Sequence, residues 1–148
     1  MNNGKITGHL VDTLHYKDGT EKVIDHGYNT ITNGLHQLLA RLMAGTADSD
    51  DALTFVVGNS ETTPSAGDTD VGDVIVSKAA TASINEGTPH KVKVSCTIGA
   101  DEGNGDNGGN RTWHCCGVKK GSVLINRKLA TLEKNSSFSV TRTFEFIF

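Results

Sequence analysis

Residues 138–148 read Phe-Ser-Val-Thr-Arg-Thr-Phe-Glu-Phe-Ile-Phe, an almost unbroken alternation of apolar and polar side chains. Phe138, Val140, Phe144, Phe146 and Phe148 fall on one face with Arg142 as its polar exception, while Ser139, Thr141, Thr143 and Glu145 fall on the other. Successive side chains of an extended chain point to opposite faces, so the pattern demands a strand with one face in a core. Four of the five phenylalanines of the chain are spent on this segment. The core is therefore expected to form around it.

Further segments repeat the strand pattern. Val92, Val94, Cys96 and Ile98 alternate with Lys91, Lys93, Ser95 and Thr97, predicting a half-buried strand whose expected partner is residues 112–118, across a polar loop at 99–111. Residues 5–13 and 21–26 flank Tyr16-Lys17-Asp18-Gly19-Thr20, where Asp-Gly predicts a hairpin turn. Residues 53–57 form a short continuous apolar run, as a strand buried on both faces would. Residues 74–76 and 122–129 are further strand candidates.

One helix is expected at about residues 33–44. Leu35, Leu38, Leu39, Leu42 and Met43 recur at helical spacing, Thr32 or Asn33 stands where an N-cap belongs, and Gly45 supplies the stop. Seventeen glycines against two prolines, with 36% hydrophobic residues, favour short strands and tight turns. The expectation is a mainly β single domain over residues 1–148, an antiparallel β-sandwich of about seven to nine strands with one amphipathic helix. A chain of this length buries roughly 70% of the surface it exposes unfolded, enough for one core.

The charge balance narrows the function. Fourteen Lys and Arg against 17 Asp and Glu give a formal charge of −3, which argues against a phosphate-backbone partner held by counterion release. The start of the chain, Met1 to Lys5, is polar, and no apolar run approaches the ~20 residues that span a bilayer, so neither nucleic acid nor membrane is an expected partner. No P-loop, nucleophile elbow or His-Glu-x-x-His occurs, and no enzyme activity or cofactor is expected.

Four polar stretches invite a site reading. Asp101, Glu102 and Asp106 offer hard oxygens, but Gly103 and Gly105 stand where a calcium loop needs ligands. Residues 101–110 read instead as an exposed, unpacked loop. Its Asp101, Glu102, Asn104, Asp106, Asn107 and Asn110, with Arg111, are candidate interface residues. Cys96, Cys115 and Cys116 are too few for a disulfide framework. One of the adjacent pair is expected in the core and the other half-exposed, the alternative being a disulfide formed after assembly, to Cys96 or between subunits. A zinc site would need convergent pairs that Cys96, His114, Cys115 and Cys116 do not offer by spacing. Asp48-Ser49-Asp50-Asp51 reads as a solvated loop and Lys119-Lys120-Gly121 as a turn.

The order of short motifs between residues 27 and 69 carries a resemblance. Gly27-Tyr28-Asn29-Thr30-Ile31-Thr32-Asn33-Gly34, the leucine-rich helix, Leu53-Thr54-Phe55-Val56-Val57-Gly58, and Thr62-Thr63-Pro64-Ser65-Ala66-Gly67-Asp68-Thr69 follow one another. Residues 76–79, 94–105, 122–129 and 138–148 continue the likeness. The series resembles small virion proteins of tailed bacteriophages, although Thr112-Trp113-His114-Cys115-Cys116-Gly117-Val118 replaces an acidic segment usual in that family. The resemblance implies a non-enzymatic structural protein, made in the host cytoplasm and carried in the virion. It would associate with copies of itself and with tail or major capsid proteins. The expected place is the tail, at collar, baseplate or fibre attachment, with capsid decoration as the alternative. A glycan-binding module is weaker, because one Trp and two Tyr supply few aromatic platforms.

Overall fold

The computed structural model describes residues 5–46 and 51–148. The polar start before Lys5, and Asp48, Ser49 and Asp50 of the acidic run, lie outside the described residues. The elements are β1 (Thr7–Tyr16), β2 (Glu21–Tyr28), β3 (Thr30–Ile31), α1 (Asn33–Met43), β4 (Leu53–Gly58), β5 (Val74–Ala79), β6 (Thr81–Asn85), β7 (Lys91–Ile98), β8 (Arg111–Lys120), β9 (Val123–Leu124), β10 (Asn126–Lys134) and β11 (Phe138–Ile147). Among the described residues, eleven strands thus exceed the expected seven to nine, and β3 and β9 are two residues long.

The strands form two antiparallel sheets. One has the order β2-β1-β11-β7-β6, the other β3-β10-β8-β4-β5 with β9 also paired to β8. The inner faces meet in one core, where Phe55 of β4 stacks on Phe144 of β11 with ring centroids 5.2 Å apart. Only Ala80 separates β5 from β6, so the chain leaves one sheet and enters the other within a residue, and Ala80 N–H bonds Leu53 O there.

β7 and β8 do not pair. β7 lies between β11 and β6, while β8 lies between β10 and β4 in the opposite sheet. The burial patterns give the reason. β1, β7 and β11 alternate, each with one solvent face, and they sit in one sheet in register, with Leu10 opposite Phe144 and Phe144 opposite Val94. β4 and β8 each carry consecutive buried residues. A strand covered on both faces belongs beside another so covered. The second cover comes from the segment after β4, where Val71 packs with Val56, Cys115 and Leu124 in a smaller cluster behind the sheet.

The N-terminal hairpin forms as expected. Gly19 takes φ +88° in its turn, and Asp18 accepts from the Thr20 amide and hydroxyl. α1 also forms where the leucines place it, and a Schellman arrangement ends it: Gly45, at φ +70°, donates to Leu42 O, and Thr46 N–H donates to Arg41 O. The apolar stripe is only half used. Leu35 and Leu38 are buried, Leu39 is half-buried, and Met43 is 92% exposed. The helix contacts the sandwich through its first turns and then projects past it.

Arg142, the polar exception of the C-terminal strand, meets its match on the neighbouring strand. Asp12 is its cross-strand partner and accepts from Nε and Nη2 at 2.8 Å each. Both residues are fully buried, and Arg142 also lies 5.2 Å from the Trp113 ring. His26 bonds the second Asp12 oxygen at 2.8 Å.

Candidate interaction surfaces

The loop between β7 and β8 is folded, contrary to the unpacked loop expected from its composition. Glu102 accepts from Lys78 at 2.6 Å, Asn104 Nδ2 donates to Ala100 O, and the Trp113 indole donates to Gly103 O at 2.9 Å. Gly103, at φ +69°, lies so close to Trp113 that a Cβ there would be 2.7 Å from the ring. The anchor beneath is Lys134, fully buried at the end of β10. Its ammonium donates to Ala100 O, Asn104 Oδ1 and Asn135 O at 2.9–3.1 Å and stands 5.3 Å from the Phe138 ring. Side-chain partners satisfy backbone groups here that composition alone assigns to water.

The expected interface residues therefore divide. Asp101, Asp106, Asn107, Asn110 and Arg111 are exposed, with Asn107 at φ 55° in a short 3-10 turn and Asn110 accepting from Asn135. Asn104 is held inward by Lys134, whereas Glu102 is tied to Lys78 with its side chain still partly exposed. The Lys78 hydrogen bond holds the Glu102 carboxyl below its ordinary range despite some burial.

The segment that carries the resemblance forms one clasp. Thr32 occupies the N-cap position, yet its hydroxyl donates to Leu124 O and caps nothing. Asn33 N–H bonds Ala66 O, drawing the loop over the start of the helix. Gly34 is there because a Cβ would lie 2.4 Å from Leu124 O, and at Gly58 a Cβ would lie 2.1 Å from Val71 O. Asp68 accepts from Ser65 N–H and from buried Arg127 at 2.9 Å, and Arg127 also donates to Ser60. Burial works to raise the Asp68 carboxyl, but the Ser65 amide and Arg127 outweigh it and hold it low. These residues bind the fold together.

The three cysteines are free and buried. Cys96 and Cys116 belong to the main core, and burial pushes each thiol up to about 12. Cys115 is also fully buried, where half-exposure was expected for one of the adjacent pair, because the segment carrying Val71 lies over it and its thiol reaches Val71 O. A bond to another subunit would require opening the domain. Among the described residues, no group of three or more His, Cys, Asp or Glu is placed to hold a metal ion, and no helix is long and apolar enough to cross a membrane.

What the molecule offers outward is its edges and one sheet face. Val23 and Tyr28 on β2, Val74 on β5, and Ile84 on β6 are 50–65% exposed. β2 and β6 border one sheet and β5 ends the other. The edges were legible as an open antiparallel sheet's problem; β6 itself was not, because Thr-Ala-Ser-Ile-Asn, although it alternates, is only five residues long and offers Ile84 as its one large apolar side chain, and all five residues are exposed. A depression of about 570 Å³ opens near α1, lined by Lys5, Tyr28, Ile31 and His36 among others. Compared with known proteins, the chain matches no family model, no curated protein and no solved structure.

Proposed function

We propose that this chain is a non-enzymatic structural subunit of a tailed-phage particle, built into the tail through contacts with its own copies and with neighbouring virion proteins. One observation carries the reading: the residues that make up the phage-like series at 27–69 are those that clasp helix, loop and sheet together. A motif series whose members hold the fold suits a protein whose product is a shape. Supporting it, apolar side chains stand on the free edges of both sheets, where a neighbouring subunit gains area and backbone pairing. Repetition then turns weak contacts into firm ones through effective concentration.

The test is gold-labelled antibody against the chain, applied to density-banded particles from the culture that produces it. Label on the tail is the expected result. Label over the head makes the protein a capsid decoration, and a chain confined to the soluble fraction overturns the reading.

A further inference from the structure

The two outer faces of the sandwich differ. Behind β4 and β8 the Val71 segment covers the sheet, whereas, among the described residues, no segment covers the outer face of β2-β1-β11-β7, which alternates cleanly out of the core. That bare face is polarised. On β7, Lys91 and Lys93 share one carboxylate, Glu145, at 3.4 and 3.8 Å, so one positive charge is left over. On β2, Glu21 and Asp25 have side chains 60–61% exposed and pair only with His15 and His9. Counting histidine as neutral, that rim keeps two negative charges. β2 and β7 stand three strand spacings apart, about 14 Å. Within one molecule the two charged rims cannot meet.

We infer that this face binds a second copy of the same chain, face to face, about a two-fold axis running along the strands between β1 and β11. A two-fold interface uses one patch twice, so it needs a patch complementary to itself. The strand register supplies it. Tyr28 pairs with His9, His9 with Glu145, and Glu145 with Lys93, so Tyr28 and Lys93 occupy one row at opposite sides of the face. The axis lays β2 of one copy over β7 of the other. Tyr28, 64% exposed, then sits over a shallow depression of about 310 Å³ lined by His9, Val11, Lys93, Thr143 and Glu145. Asp25, one row along, comes within reach of Lys93, and His9 comes over Glu145. Each contact occurs twice.

The area sets the strength. Four strands of about eight residues cover on the order of 500 Å² per copy, below the ~800 Å² per partner of a standard interface. The isolated pair is therefore weak, and salt weakens it further. This inference rests on the assembly reading above and adds the surface and the symmetry to it.

Sedimentation velocity on the purified full chain tests it. Dimerisation that rises with concentration and falls with salt is expected. Lys93→Glu or Asp25→Lys alone should raise the dissociation constant at least tenfold, and the two together should restore it, because each contact returns with its signs exchanged. Asp25 also accepts from the Gly27 amide, so Asp25→Asn, which keeps an acceptor, is the control: weaker dimer, unchanged melting temperature. A chain carrying Tyr28→Cys and Lys93→Cys cannot bridge its own 14 Å gap and should form a covalent dimer under mild oxidation. A double charge variant as weak as the single ones, or only monomer in the cysteine variant, overturns the proposal. Face dimers from a protein absent from particles would sink the virion reading alone; particle incorporation without face dimers would sink this interface alone.

Discussion

At the scale of single residues, the buried Asp12–Arg142 pair decides most. Removing one partner strands the other charge in the core, which costs about 3–5 kcal/mol, while replacing both with apolar groups of similar volume is near neutral. Asp12→Ala and Arg142→Met should each lower stability by about 3–5 kcal/mol in denaturant unfolding, and Asp12→Leu with Arg142→Met should cost far less than their sum. Additive losses would mean that the pair is not coupled. The same pair sets the acid limit. Burial pushes the Asp12 carboxyl up, but the Arg142 charge and the hydrogen bonds from His26 and Arg142 outweigh it, so its folded pKa lies below the unfolded value near 4. A depressed carboxylate contributes stability that is complete above the unfolded pKa and is lost as pH falls through the folded one. Unfolding midpoints should therefore hold steady from pH 7 to about 5 and decline below about 4. A flat profile down to pH 2 would contradict this.

At the scale of elements, the sequence was clearest where one physical rule acted alone. The C-terminal strand, β7, the Asp-Gly hairpin and the helix with its Gly45 stop were legible because alternation, turn chemistry and capping are local. Pairing was not local, and β8 was assigned to β7 although its adjacent Cys115 and Cys116 break alternation; that break is the mark of a strand covered on both sides. The folded loop was hidden for a related reason. Its anchor, Lys134, lies thirty residues from Asn104 in sequence, and a lysine is rarely fully buried unless its ammonium is satisfied. Two measurements follow. Leu38→Asp should cost several kcal/mol and abolish native circular dichroism at 25 °C, since it buries an unpaired carboxylate, whereas Met43→Asp should change stability by less than about 0.5 kcal/mol. Deleting residues 104–109 removes an acceptor of Lys134 and the Gly108 carbonyl that receives Ser136 N–H. Such losses cost about 1–3 kcal/mol each, so the deletion should lower the melting temperature by several degrees. A deletion variant that melts with the wild type would make the loop the free appendage its composition suggests.

At the scale of the whole molecule, the fastening is distributed among buried cations. Both long loops are fastened by buried cations, Arg127 under residues 60–68 and Lys134 under residues 100–104, and the core is crossed by a third, Arg142. The surface left over includes a bare polarised sheet face and the edges at β2, β5 and β6, features that gain value when many copies stand in fixed relation. The resemblance that implies a virion protein rests on residues that make this frame, and the contact loop expected at residues 101–111 is fastened in part by Lys78 and Lys134. The measurement that bears most directly on the function is the stoichiometry of this chain in density-banded particles by quantitative mass spectrometry. A constant whole-number ratio to the tail proteins, unchanged through repeated banding and a salt wash, is expected of a built-in subunit. A ratio that varies between preparations and falls toward zero on washing would contradict it.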